Sequence, residues 1–134
     1  MKIFRLACLL AVLSAFAAPL AAQNPPQTPE QQEKQLMEYI DKEVKRLSEL
    51  LELEYWQEFY VDSTLTHDYH AMGEEVNGLR AAKVENSDLY IGVQDKWMDQ
   101  IDATYKRIFS EAQWKKYLKS GAERARRARD KRKK

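Results

Sequence analysis

The chain has 134 residues, 44% hydrophobic and 32% charged, with a net charge of +1 and a single cysteine. One cysteine excludes a disulfide framework, so a core must come from packing alone, and the length suits one domain. The near-neutral total hides two opposed parts: residues 23–114 hold 9 Lys/Arg against 19 Asp/Glu, net −10, and residues 115–134 hold 11 against 2, net +9.

Residues 1–22 read as a secretory signal peptide. Lys2 and Arg5 form a basic start, and an apolar run from Leu6 leads through alanine-rich sequence to Ala22. The run is short for an ordinary transmembrane helix. Cleavage is expected after Ala22, with a cut after Ala17 as the alternative. Cys8 lies near the start of the apolar run, whereas a lipoprotein signal puts its cysteine at the end. The expected location is periplasmic or secreted, as a soluble protein.

Residues 23–29 carry three prolines in five positions and read as a linker. Thr28 is an N-cap, Pro29 suits the first helical position, and Gln31 completes a capping box. The helical domain is placed at residues 30–120. Its first helix is expected to run from Pro29 to about Val61, with Leu36, Ile40, Val44, Leu47, Leu51 and Tyr55 at helical spacing. Leu53, Trp56 and Tyr60 point away from that stripe. They are either covered by another helix of the same chain or form a client or dimer surface, since aromatic residues concentrate at interface cores.

Asp62-Ser63-Thr64 is expected to interrupt the pattern and cap a second helix, with Leu65, Tyr69, Met72, Val76 and Leu79 as its stripe. Gly73 and Gly78 weaken it. Glu85-Asn86-Ser87-Asp88 reads as a turn and a new cap. The third helix carries Tyr90, Val93, Trp97, Ile101 and Ile108. Ser110 and Gln113 form another capping box, opening a last helix with Trp114, Leu118, Gly121, Ala125 and Ala128. Residues 121–134 form a basic tail that frays at its end. No useful strand-like alternation occurs, so the fold class is all-α: a small helical bundle or long hairpins of three to four helices.

His67, His70 and Glu74 share a helical face and are the candidate metal ligands, with Zn²⁺ the ion such a set suits. The competing reading is a solvated polar face. No His-Glu-x-x-His, Gly-x-Ser-x-Gly or phosphate-cradling glycine loop is present, so no enzyme and no resident cofactor is expected. Arg124, Arg126, Arg127, Arg129, Lys131 and Arg132 make the tail a candidate for docking on an anionic lipid surface or an acidic protein. A solubilising helix end is the plainer alternative. An exported protein rarely meets nucleic acid, which argues against that partner.

Gln27-Thr28-Pro29-Glu30-Gln31 and Phe109-Ser110-Glu111-Ala112-Gln113 are similar in spacing and position to the two Leu-Thr-x-x-Gln motifs of small periplasmic helical proteins of the Spy/CpxP type. Gln27 stands where the first motif has leucine, and Phe109 and Ser110 where the second has Leu and Thr. The resemblance implies a curved antiparallel helical dimer. It also implies ATP-independent binding of unfolded or envelope proteins, or inhibition of an envelope-stress sensor, and the wider group includes metal sensors. From these readings the expected function is a chaperone-like or envelope-stress binding protein, with an adaptor docked by its basic tail as the alternative and a metal-binding sensor as a minor one.

Overall fold

The computed structural model describes residues 25–134, and the expected signal peptide, its expected cleavage position and Cys8 lie outside them. Among the described residues the fold is an all-helical bundle of four helices with no strand, as the periodicity requires. No helix in this range is long and apolar enough to cross a membrane.

Helix α1 spans Pro29–Leu51. Its start is the expected capping box: the Thr28 hydroxyl accepts from the Gln31 N–H at 3.2 Å, and Gln31 Oε1 accepts from the Thr28 N–H at 3.0 Å. Ile40, Leu47 and Leu51 are its buried residues.

The first departure from expectation follows. The chain does not stay helical to Val61 and break at Asp62-Ser63-Thr64. It breaks at 52–54, and α2 runs unbroken over Tyr55–Ala81. Glu52 takes a left-handed conformation (φ 52°), and the Leu53 N–H bonds back to the Ser48 carbonyl at 3.2 Å, closing α1 as a glycine would. Lys83 ends α2 in the same way, with φ 54° and a bond from the Val84 N–H to the Leu79 carbonyl at 3.0 Å. Gln57, Val61, Leu65 and Asp68 form the buried stripe of α2. Within the expected second stripe only Leu65 is fully buried, and Tyr69, Met72, Val76 and Leu79 are half-buried.

Helix α3 spans Ser87–Ile108, opened within the expected turn at 85–88, where the Asn86 side chain accepts from the Asp88 N–H at 3.0 Å. It runs antiparallel to α2, with Asp68 facing Gln100 and Glu75 paired to Lys96. Ile101 and Tyr105 enter the core, while Tyr90, Val93, Trp97 and Ile108 are half-buried. A second face of α3 carries Asp95, Asp99 and Asp102, a spacing of four and three that aligns carboxylates along one side.

Helix α4 spans Glu111–Tyr117, a π-helical turn covers Leu118–Ala122, and α5 spans Glu123–Arg132. Together they form the fourth helix, kinked where Gly121 takes φ 113°. This corrects the expected last helix. Gly121, Ala125 and Ala128 are exposed, and the buried residue of α5 is Arg129. The tail is helical to Arg132.

The core joins Ile40, Leu47 and Leu51 of α1, Val61 and Leu65 of α2, Ile101 and Tyr105 of α3, Phe109, and Tyr117 of α4. Tyr105 stacks on Phe109 at 5.0 Å between ring centroids and meets Tyr117 edge-on at 5.3 Å. Such aromatic pairs add to the burial term that drives the bundle.

Candidate functional site

The break at 52–54 resets the helical phase, and this creates the most exposed apolar surface among the described residues. Val61 and Leu65 turn inward, which leaves the first turns of α2 with their aromatic side chains outside. Tyr55 is 86% exposed, Phe59 62%, Tyr60 50% and Trp56 47%. Tyr60 meets Trp56 at 6.1 Å and Phe59 at 5.9 Å, both edge-on. Trp56 is oriented by its indole N–H, which donates to Glu54 at 2.6 Å. Exposed rings in contact form a patch with little freedom to lose on binding, which favours interaction over isolated solvent-facing side chains.

Tyr55 and Phe59 also form one wall of an open groove of about 530 Å³ between α1 and α2, with Val44 and Ser48 opposite. Asp41, Glu49, Glu58 and Asp62 surround it, with Lys45 as the cation among the lining residues. The combination of an apolar floor and an acidic rim suits a polypeptide segment that mixes apolar and basic residues.

Trp56 and Tyr60 of the expected surface therefore do come together, in the open. Leu53 does not join them, being half-buried against the core. Tyr55 and Phe59 were missed. A helix continuous through Leu51 put Tyr55 on the inner stripe; the spacing Tyr55-Trp56 then Phe59-Tyr60, two pairs four apart, was the signal available.

His67 and His70 each direct Nδ1 to a neighbour on α2. His67 meets Asp68 at 2.7 Å and His70 meets the Thr66 carbonyl at 2.6 Å, while Glu74 is exposed. Among the described residues no group of three His, Cys, Asp or Glu side chains is placed to hold a metal ion.

The tail residues divide by face. Arg129 is 5% exposed, with Nε on Asp99 at 2.7 Å and Nη2 on Asp102. Arg132 makes two bonds to Asp95 at 2.7 and 2.8 Å, and Lys133 reaches Asp99 at 2.5 Å. Arg126 lies 3.6 Å from Asp102 and its guanidinium sits 5.2 Å from the centre of the Trp114 ring. Arg124, Arg127 and Lys131 line the opposite, exposed face, where Arg127 pairs with Glu123.

These contacts set the charges. Hydrogen bonds from Arg132 hold the Asp95 carboxyl below the usual carboxylate range. Burial acts to raise the Asp99 carboxyl, but hydrogen bonds from Lys133 and Arg129 outweigh it and keep it lowered. The acidic body and basic tail seen in composition thus meet within one chain.

The chain matches no protein-family model, no curated protein and no solved structure.

Proposed function

We propose that the chain is an exported, ATP-independent binding protein that holds unfolded polypeptide on the α2 aromatic patch. The carrying observation is the cluster Tyr55, Trp56, Phe59 and Tyr60, exposed beside an acid-rimmed groove. Unfolded chains present apolar segments with flanking cations. An acid-rimmed patch of exposed rings accepts many such segments weakly, because neither its rings nor its carboxylates demand one sequence. The basic-then-apolar start of the sequence supports export, and the resemblance to the Spy/CpxP type supports the same class of activity.

Light scattering from a reduced, aggregating model protein tests this. Near-stoichiometric addition of the chain is expected to suppress aggregation without ATP. Trp56→Ala with Phe59→Ala should abolish suppression and leave the far-ultraviolet helical signal intact. Full suppression by this double variant would sink the reading.

A second reading rests on the exposed stripe of Arg124, Arg127 and Lys131. It makes the tail an adaptor for an anionic surface. Arg129, Arg132 and Lys133 are engaged within the chain, so fewer charges face outward than composition suggests. Salt-insensitive docking by a chain truncated after Lys119 would dispose of it.

A further inference from the structure

Helix α5 is joined and held in an unusual manner. It contributes no apolar side chain to the buried core, and its buried residue is a cation, Arg129. Its grip on α3 is ionic: Arg129 on Asp99 and Asp102, Arg132 on Asp95, and Lys133 on Asp99. As the residue numbers of α5 rise, those of its α3 partners fall, so the two helices run antiparallel. The joint is the π turn Leu118–Ala122, bent at Gly121 with φ 113°. Only glycine adopts that conformation readily. With Gly121 in the ordinary helical region instead, Glu111–Arg132 becomes one straight helix of about 33 Å at 1.5 Å per residue. Its cationic face then leaves its own α3.

We propose that the Asp95–Asp99–Asp102 face of α3 is an exchange site between copies of this chain, taking α5 either from its own molecule or from a second copy whose hinge at Gly121 has straightened. The occupant follows from what is seated there. An identical α5 offers identical charges at identical spacing, so every ion pair of the closed form is recovered in a reciprocal dimer, and such exchange across a short hinge is a low-cost route to dimers. The closed form keeps its pairs without losing translational freedom, so it predominates at low concentration. The straight form gains wherever the left-handed joint is made unfavourable.

Size-exclusion chromatography with light scattering, on the purified chain at low salt, provides the test. Gly121→Ala disfavours positive φ and favours continuous helix. It is expected to raise the dimer association constant at least tenfold. Gly121→Asn, also strained at φ 113° but less averse to positive φ than alanine, should raise it less than Gly121→Ala does. A Gly121→Ala chain that remains monomeric overturns the proposal, and so does a Gly121→Ala dimer that survives Arg129→Glu with Arg132→Glu, because its contact then does not run through α5. Mixing supplies an arm independent of Gly121. A chain carrying Asp95→Lys and Asp99→Lys and one carrying Arg129→Glu and Arg132→Glu each oppose their own closure and their own dimer. Equimolar mixing should give a one-to-one dimer, dispersed by salt. A mixture that stays monomeric overturns the exchange, even where Gly121→Ala fails to fold.

Discussion

Gln57 and Gln113 exchange amide hydrogen bonds with each other across the bundle, at 2.7 and 3.0 Å. Each is also the third residue of a capping box, Gln57 accepting from the Glu54 N–H at 2.9 Å and Gln113 from the Ser110 N–H at 2.8 Å. Their remaining donors close two other helix ends: Gln57 donates to the Ile108 carbonyl at 2.9 Å and Gln113 to the Leu51 carbonyl at 3.2 Å. Two amides therefore tie the end of α1 and start of α2 to the end of α3 and start of α4.

The two boxes expected from sequence should consequently differ in weight. Gln113→Ala removes a cap and strands polar groups on three other residues, so it is expected to destabilise the fold by about 2–3 kcal/mol. Gln31→Ala removes an exposed box and should cost about 0.5 kcal/mol. Urea unfolding of both variants measures the contrast, and equal effects would show that the amide pair adds nothing beyond capping.

Lys83→Gly is expected to stabilise the fold by about 0.5–1 kcal/mol. Relief of the left-handed penalty on a side chain exceeds the entropy glycine brings to the unfolded state. Gly73→Ala should gain a similar amount, since an added Cβ there meets nothing within 4 Å and the site is helix interior. Thermal melts of the single variants check both, and a fall in melting temperature for either contradicts the assignment of that residue.

Arg129→Ala leaves Asp99 and Asp102 without their buried cation. A loss of about 2 kcal/mol is expected. Arg129→Lys should recover only part of it, because an ammonium does not reproduce the fork between two carboxylates. Full recovery by lysine would reduce the contact to simple charge.

Acid should undo the same contacts. The folded carboxyls of Asp95 and Asp99 are lowered relative to the unfolded value, near 3.9. The unfolded chain then binds more protons between the two values, so stability rises with pH through that window. The contribution is complete above about pH 4 and is lost as pH falls through the lower folded values. Asp95→Asn with Asp99→Asn should flatten this acid limb in urea unfolding followed from pH 5 to pH 2, and an unchanged limb would place its origin elsewhere.

The helical class, a cap within residues 85–88, the boxes at Thr28 and Ser110 and much of the inner stripe were legible because they follow from period and from capping chemistry. The end of α1 was not. Helix ends of this type announce themselves through glycine, and here Glu52 and Lys83 take the left-handed positions while Gly73 and Gly78 lie inside a helix. Misplacing that break carried the inner stripe of α1 on to Tyr55 and left Phe59 unnoticed, although both stand exposed, while Leu53 takes the covered alternative and packs on the core. The docking of the tail was illegible for a different reason. Sequence gives the sign of Asp95, Asp99 and Asp102, but their alignment with Arg129 depends on the bend at Gly121, which only the tertiary arrangement fixes.

The three tryptophans of the described residues occupy three different surroundings. Trp56 stands exposed in the aromatic patch, Trp114 lies under the Arg126 guanidinium, and Trp97 has its indole N–H buried without a hydrogen-bond partner. Indole emission depends on local polarity and neighbouring charge, so the molecule carries its own optical probes. Trp56 reports occupancy of the patch, Trp114 the seating of α5, and Trp97 the integrity of the α2–α3 pair, each readable after replacing the other two with phenylalanine.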